Sequence, residues 1–192
     1  MISKLPRANR HTSLRIALLA LACFTAGCVS DGALAPPRSA ETGLVYGRLS
    51  AGQIGIYSIY LYREGHHYLV PFTAPTAYPD AQGRFVLENA PPGDYFIAGF
   101  SDGRRNYWVT QTAGPATVPL TPGGLAYLGS FVVEPRPRPE LDQREVRLRP
   151  DPAADEREII QWLLARVAGT AWENRLRQRE VELDPPRPSP DH

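Results

Sequence analysis

Between Gly43 and Val133 the apolar residues come in short runs, rich in β-branched and aromatic side chains and broken by proline and glycine at close intervals. That is the punctuation of strands rather than of helices. The pattern predicts strands at Gly43 to Leu49, Ile54 to Tyr62, Tyr68 to Phe72, Arg84 to Glu88, Tyr95 to Phe100, Tyr107 to Thr112, Thr117 to Leu120 and Leu125 to Val133. The breaks are Pro79-Asp-Ala-Gln-Gly83, Pro91-Pro-Gly-Asp94, Ser101-Asp-Gly103 and Thr121-Pro-Gly-Gly124, where proline presets φ and glycine supplies a positive one. Short strands at this spacing predict a sandwich or a small barrel.

The period changes near Asp151. Ile159, Ile160, Leu163, Leu164, Val167, Ala168 and Ala171 recur at three- and four-residue spacing, which makes one apolar stripe of a helix expected from about Pro152 to Arg179. Asp151-Pro152 offers an N-cap followed by proline at the first helical position, and Asp155, Glu156 and Glu158 suit the positive end of the helix dipole. Gly169 is expected to interrupt this helix, and Thr170-Ala-Trp-Glu173 has capping-box spacing for a second segment. The stripe has two outlets. It packs on the chain's own β-domain, or Ile160, Leu163, Leu164 and Val167 form a partner-binding helix face for another envelope protein.

The opening of the chain follows another pattern. The apolar run from Ile16 to Gly27 falls well short of the ~20 residues that span a bilayer. Lys4, Arg7, Arg10 and Arg15 precede or begin it, with no acidic residue before Asp31. A basic end, a short apolar core and a small-residue site in that order predict an export signal. Thr25-Ala26-Gly27-Cys28 resembles the lipobox of bacterial lipoproteins, with Thr25 where that family usually has an aliphatic residue. The resemblance implies cleavage before Cys28, lipidation of its sulfur and freed amine, and, with Val29 rather than Asp following, sorting to the outer membrane. Several acyl chains, at ~0.8 kcal/mol per buried methylene, anchor a protein stably in a lipid bilayer. Cys23 would leave with the signal, so Cys28 would be the mature chain's one cysteine.

Charge then excludes one class of partner. Four of the 21 basic residues precede Cys28, which leaves 17 against 20 acidic ones, and nucleic-acid binding needs a concentrated basic surface. The length allows one domain with appendages. The expected organisation is a signal at 1–27, a flexible tether at 28–42, a β-domain at 43–133, a connector at 134–150, a helical region at 151–180 and a disordered tail at 181–192. Within the connector, Glu134-Pro-Arg-Pro-Arg-Pro-Glu140 reads as stiff and extended, and Glu145-Val-Arg-Leu-Arg149 as a further edge strand.

One motif carries a second resemblance. Gly83-Arg-Phe-Val-Leu-Glu-Asn-Ala-Pro-Pro-Gly-Asp-Tyr-Phe-Ile-Ala98 has a strand beginning Gly-x-Phe, a Pro-Pro-Gly-x-Tyr turn and a return strand. It resembles the carboxypeptidase regulatory-like domains, which implies a mainly β, prealbumin-like antiparallel β-sandwich of about seven to eight strands, here followed by an amphipathic helix. Phe85 and Leu87 are expected on one face, and Tyr95, Ile97 and Gly99 alternate along the return strand. Such domains are usually non-catalytic. The enzymatic branch of the fold, the transthyretin-like hydroxyisourate hydrolases, uses histidines, arginine and a C-terminal Tyr-Arg-Gly-Ser that this sequence lacks.

The remaining chemistry is sparse. Gly99-Phe-Ser-Asp-Gly103 matches the Gly-x-Ser-x-Gly of serine hydrolases, but a strand and not a helix follows, so Ser101-Asp102-Gly103 reads as a hairpin turn. His66-His67 reads as a hairpin tip, because neighbours in a strand face opposite ways and cannot readily share an ion. No catalytic residue, metal or cofactor is expected. Tyr57, Tyr60, Tyr62, Tyr68, Tyr107 and Trp108 either fill a core or stack on sugars, with Tyr107 and Trp108 the candidate ligand-binding pair. Two functions follow: a non-enzymatic structural or protein-interaction lipoprotein of the envelope, or a module that binds cell-wall or surface glycan.

Overall fold

The computed structural model describes residues 32–68, 73–110, 117–136 and 144–184. Cys28 with the signal before it, most of the strand expected at Tyr68 to Phe72, the middle of the connector and the chain after Asp184 lie outside the described residues.

Among the described residues nine strands form one mixed sheet. They are β1 (Gly43–Ser50), β2 (Ser58–Arg63), β3 (Thr76–Ala77), β4 (Arg84–Ala90), β5 (Gly93–Ser101), β6 (Asn106–Val109), β7 (Val118–Leu120), β8 (Leu125–Arg136) and β9 (Arg144–Pro150). Eight follow the order β3-β2-β5-β6-β9-β8-β1-β4, and β7 pairs with β5. The end strands β3 and β4 lie beside one another, so the sheet is nearly closed.

Two expectations of pairing are corrected. The arrangement is not wholly antiparallel, since β1 runs parallel to β8 and β6 parallel to β9. Nor is β9 an edge strand, because β6 and β8 flank it on both sides, and β8 extends into the expected connector as far as Arg136. Alternation tells which face a side chain takes and is silent on which strand lies next door. The motif from Gly83 to Ala98 also behaves differently from a hairpin. Its two strands, β4 and β5, do not pair, and Pro91-Pro92 instead carries the chain from one end of the strand order into its other half. The Tyr95 hydroxyl donates to the Pro91 carbonyl at 2.8 Å and ties this corner, which gives the Pro-Pro-Gly-x-Tyr spacing a physical reason.

β1 is buried on both faces, and its residues divide between two cores. Val45 and Leu49 face the interior with Ile59, Leu61, Phe85, Tyr95, Ile97, Phe100 and Val146. Leu44 and Tyr46 face outward, under two helices, α1 (Glu156–Leu164) and α2 (Ala171–Glu182). The expected N-cap at Asp151 is corrected to Asp155, whose side chain accepts from the Arg157 N–H, while Asp151 and Pro152 form a separate turn held by Ala153 N–H to Asp151 Oδ1 at 3.2 Å. The second segment starts where its sequence says. Thr170 Oγ1 accepts from the Trp172 N–H, and Glu173 reaches back to the Gly169 N–H at 2.9 Å.

The apolar stripe packs on the chain's own sheet. Ile159, Ile160, Leu163, Val167, Trp172 and Leu176 are fully buried against Leu44 and Tyr46, with Val86, Leu125, Tyr127 and the partly buried Leu164 around them. This corrects the partner-facing alternative for Ile160, Leu163 and Val167. At ~1.5 to 3 kcal/mol for each large side chain, this second core holds the helices in place.

Residues 34–42, expected within a flexible tether, are a strap. Leu34 N–H donates to Arg166 O at 2.9 Å, Ala35 N–H to Glu88 Oε2 at 2.7 Å and Arg38 N–H to Asn89 Oδ1 at 2.6 Å, while Trp172 Nε1 donates to Ala35 O at 2.9 Å. Asn89 occupies the left-handed region at φ 57°, which asparagine tolerates better than most residues, and so can reach Arg38, Thr42 and Pro36 together.

Candidate functional site

The helices cover the β1, β4 and β8 side of the sheet. The wall on the other side, made by β2, β5 and β6, carries an aromatic surface, and a one-residue irregularity creates it. Tyr60 pairs with Gly99 but Leu61 pairs with Ile97, so Ala98 is an extra residue in β5. Ile97 and Phe100 thus both face the core, and Gly99 turns outward, away from the face that simple alternation predicts.

Gly99 is also the cross-strand neighbour of Trp108. With no side chain between them, Tyr60 and Trp108 approach over Gly99 and stack with ring centroids 5.7 Å apart and planes at 24°. Further along the same wall, Tyr62 meets Phe96 at 5.8 Å and Tyr68 at 4.9 Å. An open cleft of about 620 Å3 runs along this surface, lined by Tyr62, Arg63, Glu64, His66, Phe96 and Trp108 among others, and its volume suits a small-ligand site. The indole Nε1 of Trp108 is buried without an acceptor among the described residues.

The expected pair Tyr107 and Trp108 is therefore split. Adjacent residues of a strand take opposite faces, and Tyr107 is buried in the interior, stacked on Phe100 at 4.7 Å with its hydroxyl 3.0 Å from Asp102 Oδ2. Trp108 alone of the two reaches the cleft. Phe96 and Arg63, which the sequence does not mark as binding residues, join it there. A glycine inside an apolar strand is the signal that could have pointed to this wall.

At the cleft's rim the β2 strand ends in a turn. The stem of Arg63 lies across Gly93, where a Cβ would stand 2.6 Å from Arg63 Cδ. Its guanidinium donates through Nη1 to Pro92 O at 3.2 Å and through Nη2 to His66 Nε2. The other ring nitrogen of His66 faces Glu64 O at 3.3 Å, and the ring lies nearly parallel to Tyr68. Burial, and then the neighbouring Tyr68, push the Tyr62 phenol above its ordinary range. Among the described residues no cluster of three or more His, Cys, Asp or Glu could hold a metal ion.

Ser101 ends β5, where the turn to β6 begins. Its Oγ accepts from the Gly103 N–H at 3.0 Å, and Asp102 Oδ1 accepts from the Arg104 and Arg105 N–H groups. Burial raises the Asp102 carboxyl, but those donors and the Tyr107 hydroxyl together hold it below the usual carboxylate range. The Gly-x-Ser-x-Gly pattern here is a turn.

No protein-family model, curated protein or solved structure matches this chain. No helix among the described residues is long and apolar enough to cross a membrane.

Proposed function

We propose that the chain is a lipoprotein of the bacterial cell envelope, anchored through acylated Cys28 and sorted to the outer membrane, that works as a non-enzymatic glycan-binding module. The observation that carries the binding reading is the aromatic wall of Trp108, Tyr62 and Phe96 along an open cleft on the side away from the helices. Sugars offer apolar C–H faces to such rings and hydroxyls to polar groups between them. The N-terminal order of basic, apolar and small residues supports the anchor. The β-domain is in this reading a distant relative of the carboxypeptidase regulatory-like sandwich, with β4-β1-β8 and β3-β2-β5-β6 as its layers around one interior core. The tied Pro91–Tyr95 corner between the layers favours it.

The test is co-sedimentation with purified peptidoglycan and surface polysaccharides. Saturable binding that Trp108→Ala abolishes, measured well below the variant's own melting temperature, is the expected result. Absence of binding to every glycan would return the chain to the second reading, a structural or protein-interaction module.

A further inference from the structure

We infer that the cleft selects acidic sugars, with Arg63 as the group that reads the carboxylate. This deepens the glycan-binding reading and rests on it. Stacking on Trp108, Tyr62 and Phe96 recognises a ring face but cannot tell a neutral sugar from an acidic one, because every pyranose presents C–H groups. Discrimination needs a fixed cation beside the aromatic surface. Arg63 meets this need by position: it lines the same cleft, and its guanidinium meets His66, whose ring lies on Tyr68 beside Tyr62.

Three features hold its guanidinium in place: the stem packed over Gly93, the bond from Nη1 to Pro92 O, and the contact of Nη2 with His66. Neither polar partner is a carboxylate. Among the described residues no ion pair joins Arg63 to a carboxylate, whereas Arg84, Arg149, Arg157, Arg177 and Arg179 each have one at 2.8 to 2.9 Å. Glu64, on the same turn, also lines the cleft; its backbone carbonyl faces His66 Nδ1 at 3.3 Å, and its carboxylate is exposed to water, which screens it. The guanidinium therefore keeps its charge and part of its donor fork for a ligand. A planar fork held in one orientation matches a carboxylate and gains more from it than from a hydroxyl.

The carboxylate has two sources in an envelope, uronic-acid polysaccharide and the lactyl group of muramic acid in glycan strands whose stem peptide, otherwise amide-linked to that carboxyl, has been removed. The mature protein is titrated calorimetrically with uronic-acid trimers and with muramic-acid-containing glycan fragments, each beside its methyl ester. We expect one of the acids to bind about tenfold more tightly than its ester, the difference shrinking at high salt as an exposed ion pair requires. Arg63→Gln should bring that ratio to about one while the ester binds as before, and Arg63→Lys should retain part of it. Equal affinity for acid and ester in the native protein would overturn the inference and leave glycan binding standing. A preference that survives Arg63→Gln would overturn the assignment to Arg63. Binding of none of these ligands or of neutral glycans would remove the glycan reading, and this inference with it.

Discussion

Arg179 grips Glu156 with two parallel hydrogen bonds, Nε to Oε1 and Nη2 to Oε2, both at 2.9 Å, and so joins the C-terminal end of α2 to the first residue of α1. The Tyr46 hydroxyl of β1 donates to the same Oε1 at 2.7 Å. One largely buried carboxylate thus fastens both helices to the sheet. Glu156→Ala would leave the buried Tyr46 hydroxyl without its acceptor, a loss of about 1–3 kcal/mol, and Arg179 is exposed enough for water to recover part of its share. Thermal unfolding should show a melting temperature lower by about 2–4 °C per kcal/mol.

Tyr46 also sets an alkaline limit. Burial first, then the hydrogen bond to Glu156 and its charge, raise its phenol far above the ordinary range, with Arg179 pulling weakly the other way. The unfolded chain loses this proton near pH ~10. The contribution is therefore complete below pH ~10 and falls as pH climbs above it, by at most about 1.4 kcal/mol per pH unit for one group. Tyr95 and Tyr127 shift in the same direction, chiefly by burial, and add to the fall. Denaturant melts from pH 8 to 11 should show a shallower decline for Tyr46→Phe than for the native protein, and an unchanged slope would contradict this account.

Leu163 lies under α1 with no exposed surface. Leu163→Ala should lower stability by about 2–5 kcal/mol, the usual range for a large-to-small change in a core, and Leu163→Asp by more. A purified monomer whose melting temperature ignores both changes would mean that the helices do not rest on the sheet.

Much of this architecture was legible in the chain. Turns at Pro91-Pro92-Gly93 and Ser101-Asp102-Gly103, the cap at Thr170 and the stripe from Ile159 to Val167 appear because each rests on local chemistry within a few residues. The two parallel pairings were not legible, since Leu44 beside Leu125 and Tyr107 beside Arg144 are relations between distant segments with the same period. Asp151 and Asp155 are equivalent as caps in sequence, and only the packing of Ile159 and Ile160 on Leu44 and Tyr46 selects the second. The two-residue β3 is too short to produce a pattern. In the site, Trp108 was visible as an aromatic, but its separation from Tyr107 depends on which face of β6 meets the core.

Cys28 lies outside the described residues, and its modification is tested directly. Mass spectrometry of the mature N-terminus should find an acylated cysteine there, and Cys28→Ser should move the protein from the membrane fraction to the soluble one. An unmodified N-terminus elsewhere would end the anchor hypothesis.

Gly99 tests whether the aromatic wall is built or incidental. A Cβ at this position would stand 2.3 Å from Tyr107 O and 3.0 Å from Trp108 Cε3. The first contact is with backbone in the β5–β6 ladder, which cannot yield as a flexible side chain would, and the second pushes Trp108 off Tyr60. Gly99→Ala should therefore cost about 1–3 kcal/mol in stability, the range for overpacking. Gly55 is the control, because a Cβ there would meet nothing within 4 Å, so Gly55→Ala should leave both stability and binding unchanged. If the stacked pair is the platform for a sugar ring, Gly99→Ala should weaken glycan binding at temperatures where the variant is still folded, and near-ultraviolet circular dichroism should report the altered surroundings of Trp108. Native affinity in a variant whose Trp108 signal has changed would show that the Tyr60–Trp108 stack serves the fold alone.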